Sequence, residues 1–518
     1  MRLADRLARW PSPAKTGAYA FTLTVAGVAH AAAMAWPMAS GLALGQPVWW
    51  LQIVSLSVLI GVVGQCVSGR AAAAAGLYFS VSWLCGTYWW LYVAMHTYGD
   101  LAAPLASSAV LSLSLALGLY YGGACYVTWM LRTRSGAWSG WVFASLWTCA
   151  EMARGTWLTG FGWGSAGYAH IDGPLAFLIP WIGAYGLALV AALVAWQVTH
   201  VRRTTWLARV LTVALLVAGS FAAHRTSTWT ASTGTLSVTL LQGNIPQDEK
   251  FQAGSGVPFA LKWYAERLRA NTSSLVVAPE TAIPLLPQQL PPEYWDGLRQ
   301  RFAQGDQAAL IGIPLGNMRE GYTNSVLGLV PASDAAWRYD KHHLVPFGEF
   351  IPPLFKWFTQ LMNIPLGNFN RGDLGQPSLQ WAGQRLAPNI CYEDLFGEEL
   401  AARFRQPDEA PTVFVNVSNI GWFGDSIAID QHLNISRMRA LEFQRPFVRA
   451  TNTGATVILN HRAEVTAALP RYTRAVLEGS VEGRTGLTPF AWWASRWGLW
   501  PLWCFAFLVV GWAWVRRR

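Results

Sequence analysis

The sequence predicts a membrane α-helical bundle of about eight transmembrane helices that carries one α/β domain on its outer side. Apolar residues make up 53% of the chain and charged residues only 13%, a balance typical of a polytopic membrane protein. Long apolar runs lie toward both ends of the chain, whereas residues 225–487 have none and carry most of the Asp and Glu. That window is long enough for one substantial soluble domain.

Eight apolar runs are each near the length that crosses a bilayer. They cover residues 18–40, 46–66, 71–93, 102–131, 138–155, 174–198, 206–224 and 489–514. We therefore predict three regions, which are a seven-span region over 1–224, a catalytic domain over 225–487, and a final helix with a tail over 488–518.

The basic residues predict the orientation of the bundle. With a cytoplasmic N-terminus, the inner segments hold a marked excess of basic side chains, and the outer loops hold almost none. The inner set is Arg2, Arg6, Arg9, Lys15, Arg70, Arg132, Arg134, Arg202, Arg203, Arg209, Arg516, Arg517 and Arg518. Seven spans then place the soluble window outside, which in a bacterium is the periplasm. Both termini are predicted to be cytoplasmic.

Several other functions are disfavoured by the sequence. A net charge of +10 could suggest nucleic-acid binding, but the basic residues follow the membrane topology and form no single patch. The pattern GxGxxG at 162–167 follows a span and does not open a strand-to-helix unit, so we interpret it as a tight outer loop. His342 and His343 lack the carboxylate or thiol spacing of a metal site. No nucleic acid, metal or other cofactor is therefore expected.

The soluble window reads as an α/β domain, because short Val-, Ile- and Leu-rich runs alternate with polar or helical stretches. Helices are predicted over 257–270 and 428–445. Three ionisable residues stand where an apolar strand-like run gives way to a loop, namely Glu280, Lys341 and Cys391. Cys391 is also the only cysteine outside the predicted spans.

These three residues suit acyl transfer. A thiol near its ordinary pKa is mostly protonated at neutral pH, so a carboxylate can serve as its general base. A fixed ammonium favours the thiolate and stabilises the oxyanion of a tetrahedral intermediate. Taken singly, each residue also has an ordinary explanation, as a solvated loop charge or a core cysteine, and spacing alone does not show that they converge.

Longer motifs favour the catalytic interpretation of these three residues. The motifs resemble those of the apolipoprotein N-acyltransferase family, whose members carry a nitrilase-like domain on membrane helices. The resembling segments are 241–247 (LQGNIPQ), 278–281 (APET), 339–349 (YDKHHLVPFGE), 389–393 (NICYE) and 416–425 (NVSNIGWFGD). Residues 154–155 and 171–174 are similar to the long external loop of the family. The resemblance extends over essentially the whole chain and implies an αββα sandwich for the soluble domain.

The resemblance also implies roles for particular residues. Cys391 matches the acyl-carrying nucleophile, Glu280 the base and Lys341 the oxyanion-stabilising ammonium of the family triad. Further residues are implied to shape the site, namely Glu349, Tyr392, Glu393, Phe251 and Trp422. The sequence departs from the family where Phe251 replaces a frequent Trp and where Ile420 and Gly421 replace an Asp-Ala type pair. We expect those departures to affect lipid preference and leave the chemistry unchanged.

The implied reaction takes an acyl chain from a membrane phospholipid, by analogy phosphatidylethanolamine, onto Cys391 as a thioester. The N-terminal amine of a diacylglyceryl-cysteine apolipoprotein then accepts the chain, in the bacterial inner membrane. Two rivals remain open. A membrane-tethered amidase or nitrile hydrolase could use the same triad with water, although eight spans exceed what a hydrolase needs. A transporter or scaffold is less favoured, because charges within the spans are few, chiefly Glu151 and Arg154.

Residues 351–366 form an unusually apolar stretch between Lys341 and Cys391. Leu354, Phe358, Leu361 and Met362 share one helical face. We predict an amphipathic arm that rests in the outer leaflet, with a core helix as the alternative.

Overall fold

The computed structural model describes residues 13–132, 136–201, 205–222, 229–333, 335–351 and 369–517. These residues form two compact units. The helical unit contains the described residues up to Tyr92, those that follow from Ala103 as far as 222, and those from Leu499 onward. The sheet unit contains Val93–Ala102 and the described residues from 229 to Gly498.

The helical unit consists of apolar helices joined mostly by short turns. Its helices are Pro13–Met34, Trp49–Gln65, Gly69–Tyr88, Ala103–Leu131, Gly136–Thr156, Ile179–Thr199, Trp206–Ala222 and Trp500–Arg517. Helix Gly69–Tyr88 packs closely against Ala103–Leu131. A Cβ at Gly76 would lie only 2.8 Å from the carbonyl oxygen of Tyr121, so glycine is required for this close approach.

The prediction of about eight membrane spans is supported only in part. Among the described residues, three helices are long and apolar enough to cross a membrane, namely Gly17–Met34, Ala103–Leu131 and Ala176–Thr199. Pro489–Trp497 and Trp500–Arg516 would make a fourth span together, although they meet at an angle of 86°. Trp49–Gln65 and Trp206–Gly219 are apolar but shorter. The apolar runs in the sequence include residues beyond the helix ends, which made the predicted spans longer than several of the helices.

The sheet unit has two six-stranded sheets. The strands are β1 Thr230–Gln242, β2 Leu275–Ala278, β3 Ala308–Asn317, β4 Gly321–Leu329, β5 Trp337–Asp340, β6 Leu379–Trp381, β7 Gln384–Ile390, β8 Val413–Ser418, β9 Phe447–Thr451, β10 Val457–Leu459, β11 Val465–Ala468 and β12 Ala475–Gly486. Their orders are β12-β1-β2-β3-β4-β5 and β11-β10-β9-β8-β7-β6. The main helices are Gly256–Ala270, Pro292–Ala303, Gly397–Ala401, Ala428–Phe443 and Pro489–Trp497.

The two sheets pack face to face, with helices on both outer faces. Leu240, Val277 and Leu310 of the first sheet join Val415 and Val448 of the second in one buried cluster. The opposite face of the first sheet is covered by helices Gly256–Ala270 and Pro292–Ala303. On the second sheet, Phe414 of β8 stacks on Phe447 of β9 and packs edge-to-face on Phe443 of helix Ala428–Phe443. The predicted αββα sandwich is therefore confirmed.

The strand directions determine where functional loops meet. Strands β1, β2 and β3 are mutually parallel, as are β7, β8 and β9. β5 runs in the same direction as β3, because each is antiparallel to β4. The carboxyl ends of parallel strands lie at one edge of a sheet, so the loops after β2, β5, β7 and β8 open at the ends of their sheets where chemistry is usually found.

Candidate active site

The three residues singled out in the sequence each follow the end of a strand. Glu280 is the second residue after β2, Lys341 comes directly after β5, and Cys391 comes directly after β7. A Cβ at Gly312 of β3 would lie 2.2 Å from the carbonyl oxygen of Pro279, so β3 can approach the Glu280 loop only with glycine there. Local packing thus holds the Glu280 loop against its neighbouring strand.

Lys341 lies between two carboxylates. Its Nζ donates to Glu349 Oε1 at 2.8 Å and lies 3.5 Å from Glu280 Oε1. All three residues are buried, and Lys341 is only 1% exposed. Burial disfavours the ammonium, but Glu349 and then Glu280 outweigh it and raise the pKa of Lys341 above its usual range. Lys341 therefore remains a fixed positive charge at physiological pH.

Asparagines hold the two carboxylates in place. Asn324 Nδ2 donates to Glu280 Oε1 and to Glu349 Oε1, each at 2.7 Å. The backbone N–H of Asn419 donates to the other oxygen of Glu280 at 2.9 Å. Val345 N–H donates to Glu349 Oε2 at 2.8 Å. Each carboxylate is thus oriented by hydrogen bonds to both of its oxygens.

Cys391 occupies a strained position at the start of a short 3₁₀ turn, Cys391–Leu395. Its φ is +52°, in the left-handed region that disfavours residues with a side chain. The side chain is partly exposed. Burial, followed by the negative charge of Glu280, raises the pKa of the thiol to about 12, although Lys341 opposes the shift. The resting thiol is therefore protonated, and a reaction at this sulfur needs a base.

Comparison with known proteins identifies the family. Residues 29–197 match the model of the apolipoprotein N-acyltransferase N-terminal domain, and residues 237–489 match that of carbon-nitrogen hydrolase. An apolipoprotein N-acyltransferase of Verminephrobacter eiseniae is 55% identical over 500 residues, which are 92% of each chain. The chain belongs to the apolipoprotein N-acyltransferase family. A relative of the same name from Ralstonia nicotianae is 47% identical over 85% of each chain.

Membership of the apolipoprotein N-acyltransferase family establishes the activity as acyl transfer in lipoprotein biosynthesis. The carbon-nitrogen hydrolase match covers nearly all of the sheet unit, so the αββα sandwich has the nitrilase-like fold. The named relatives are bacterial, and the apolar helices are consistent with a membrane protein that acts on lipid-bearing substrates.

Glu393 joins two of the loops. Tyr339 Oη donates to both of its carboxylate oxygens, at 2.9 and 2.8 Å. The backbone N–H of His342 donates to Oε1 at 2.7 Å, and that of Ile390 donates to Oε2 at 2.6 Å. Burial raises the pKa of Glu393 in spite of these donors. In this acyltransferase the carboxylate therefore links residues next to Lys341 to residues next to Cys391, and its site-shaping role stays a prediction.

The three aromatic residues implied by the resemblance differ in exposure. Tyr392 is buried, and its ring packs edge-to-face on Phe396 at 5.2 Å. Phe251 is 39% exposed. Trp422 is partly exposed and contacts the ring of Tyr98 at 6.0 Å. Their part in substrate binding stays a prediction. The predicted arm over 351–366 lies almost wholly outside the described residues.

Two features of the site were missed in the sequence. Asn324 lies within a β4 run that gave no polar-site signal, and Lys250 follows the QGNIPQ motif without a strand end to mark it. Lys250 is 1% exposed, and its Nζ donates to the carbonyl oxygen of Glu280 at 3.0 Å. Burial lowers the pKa of Lys250 to about 8, against the pull of Glu280 and Cys391. The site therefore holds a second buried lysine.

Proposed function

We propose that this enzyme transfers its acyl chain in two steps through a thioester on Cys391, with Glu280 as general base and Lys341 as the oxyanion-stabilising charge. The observation that carries the proposal is the buried ammonium of Lys341, 2.8 Å from Glu349 and 3.5 Å from Glu280. Such a fixed charge in a water-poor site stabilises a developing oxyanion strongly.

In the first step the thiol proton of Cys391 passes to Glu280, and the sulfur attacks the ester carbonyl of a phospholipid. The tetrahedral oxyanion is stabilised by Lys341. The ester C–O bond then breaks, and the departing lysophospholipid oxygen takes the proton back from Glu280. Glu349 keeps Lys341 charged and in position throughout, because it makes the shorter of the two carboxylate contacts.

In the second step the α-amine of a diacylglyceryl-cysteine attacks the thioester carbon. Glu280 accepts a proton from the attacking nitrogen, Lys341 again stabilises the oxyanion, and the C–S bond breaks. The sulfur of Cys391 recovers its proton from Glu280. The same base and the same ammonium thus serve both half-reactions, as expected for a ping-pong enzyme.

The membrane arrangement belongs to the proposal. We place about eight spans as predicted, with regions 1–224, 225–487 and 488–518, the catalytic domain in the periplasm and both termini in the cytoplasm of an inner-membrane protein. Phosphatidylethanolamine is the proposed donor. Support comes from the distribution of basic residues and from the chemistry, because both substrates are lipids whose chains would be costly to withdraw from a bilayer.

Incubation with one pure phospholipid tests the proposal. Phosphatidylethanolamine alone should yield about one lysophospholipid per enzyme and then stop, with an acyl-sized mass increase on Cys391. Addition of a diacylated lipopeptide with a free amine should discharge the adduct. A lipopeptide with an acetylated N-terminus is the matched control and should leave the adduct intact. Sustained release of free fatty acid without acceptor would instead favour the amidase-like hydrolase.

A further inference from the structure

A fully buried polar chain lies behind Cys391, on the side of its backbone carbonyl. Its members are Asp394, His432, Ser436 and Arg449, and none is more than 1% exposed. The proposed mechanism uses none of them. Burial of an aspartate and an arginine costs free energy unless both charges are paired and hydrogen-bonded. The contacts that this polar chain makes with Cys391 therefore bear on its role.

The tautomer of His432 follows from its neighbours. Arg449 Nη2 lies 3.2 Å from His432 Nδ1. A guanidinium can only donate, so Nδ1 must be the ring nitrogen that accepts, and the proton of the neutral ring must be on Nε2. Arg449 also donates to Asp394 Oδ2 at 3.0 Å, which keeps its guanidinium oriented toward the ring.

The single N–H donor of His432 therefore faces two acceptors, one of which belongs to Cys391. His432 Nε2 lies 3.1 Å from the carbonyl oxygen of Cys391 and 3.0 Å from Asp394 Oδ1. Asn416 Nδ2 donates to the same carbonyl at 3.2 Å. Two buried side chains thus hold the carbonyl of a residue whose φ is +52°.

A left-handed φ on a residue with a side chain is strained and persists only where surrounding contacts hold it. We propose that His432 is a positioning residue that holds the strained backbone of Cys391 and so directs its sulfur toward Glu280 and Lys341. Asp394 and Arg449 act on His432 and fix its ring. This inference rests on the proposed function of Cys391.

Two substitutions at one position separate positioning from packing. His432→Phe fills the ring volume but has no donor, whereas His432→Gln can place an amide N–H near the position of Nε2. We expect His432→Phe to slow formation of the acyl-Cys391 adduct by about 10- to 100-fold, the range expected when a reacting atom is misplaced by about 1 Å. His432→Gln should recover most of that rate.

Thermal unfolding of each purified full-length variant accompanies the kinetics. Thr456→Val is the matched control, because it also removes a fully buried hydrogen-bonding group, one that lies in the loop between β9 and β10 and contacts Thr451. This control should acylate near the wild-type rate. Rates for His432→Phe and His432→Gln that are equal, or that follow their unfolding temperatures alone, would overturn the proposal.

A parallel measurement on Cys391→Ala separates the proposed function of Cys391 from the proposed positioning role of His432. If Cys391→Ala still turns over, the proposed function fails, and the positioning role fails with it. If Cys391→Ala is inactive while folded His432→Phe acylates as fast as the wild type, only the positioning role is refuted.

Discussion

Each unit of this protein buries a cation beside an acidic side chain, but the two cations are engaged in different ways. Arg154 in the helical unit donates to the hydroxyls of Tyr121 and Tyr88 at 2.8 and 2.7 Å. It also donates to the carbonyl oxygens of Phe161 and Trp163 and to Glu151. Nη1 makes three of these contacts, and Nε and Nη2 make one each, so all three nitrogens of the guanidinium are engaged by protein groups.

Lys341 in the sheet unit has a different set of neighbours. In the part of the chain that the structure describes, its ammonium makes a hydrogen bond to Glu349 and a longer contact to Glu280. It also interacts electrostatically with Cys391, whose thiol is partly exposed. An ammonium has three donors, so capacity remains for a substrate oxygen. The comparison indicates that a cation whose nitrogens are all engaged by protein groups serves the fold, whereas a cation with spare donor capacity beside the proposed nucleophile serves the reaction.

The largest effect should come from the proposed nucleophile, Cys391. Cys391→Ala should abolish acyl transfer, because no thioester can form, while thermal unfolding in detergent stays close to that of the wild type. Cys391→Ser should be inactive too, since the hydroxyl is a far weaker nucleophile than a thiolate. Lysophospholipid release and adduct mass measure both variants. Normal turnover of Cys391→Ala would refute the proposal that Glu280 and Lys341 act on this sulfur.

The next largest effect should come from Glu280 and Lys341. Glu280→Gln keeps the shape of the side chain but removes the base, and Lys341→Met removes the charge. Each should slow adduct formation at least about 100-fold in a stopped reaction read by mass spectrometry. Lys341→Met should also destabilise the enzyme by about 3–5 kcal/mol, because it leaves buried carboxylates without their cation. Adduct formation at the wild-type rate would remove that residue from the mechanism.

Lys250 offers a smaller, pH-dependent test. Its pKa is lowered to about 8, so its ammonium is charged below that pH and becomes neutral as the pH rises through it. The charge favours the carboxylate of Glu280 and the thiolate of Cys391, so its loss should slow acylation several-fold above about pH 8. In Lys250→Met the rate should start lower and lack this alkaline decrease. If the acylation rate of Lys250→Met still falls above about pH 8, the decrease must come from the titration of another group.

Much of the fold could be predicted, because buried parallel strands such as β2 and β8 consist mostly of apolar residues. β12 gives no such run, because exposed glutamates and interspersed glycines interrupt its apolar pattern at the edge of its sheet. Glu280, Lys341 and Cys391 were found because each follows a strand. His432, the proposed positioning residue, could not be found in this way, since it lies within a helix and contacts the backbone carbonyl of Cys391. Such a contact depends on distant elements that only the folded chain brings together.

The smallest catalytic effect should come from Arg154, the cation of the helical unit that was compared with Lys341. Arg154→Met leaves the carboxylate of Glu151 buried without its cation, and Arg154→Lys supplies only three donors for five acceptors. Both should lower the unfolding temperature in detergent, and Arg154→Met should lower it more.

The double variant Arg154→Met with Glu151→Gln should recover part of the lost unfolding temperature, because the uncompensated charge is removed. Adduct formation on Cys391, normalised to folded protein, should stay within about twofold of the wild type in all three. A large loss of acylation in a variant that stays folded would show that Arg154 takes part in the reaction although all of its nitrogens are engaged, and the distinction between the two cations would fail.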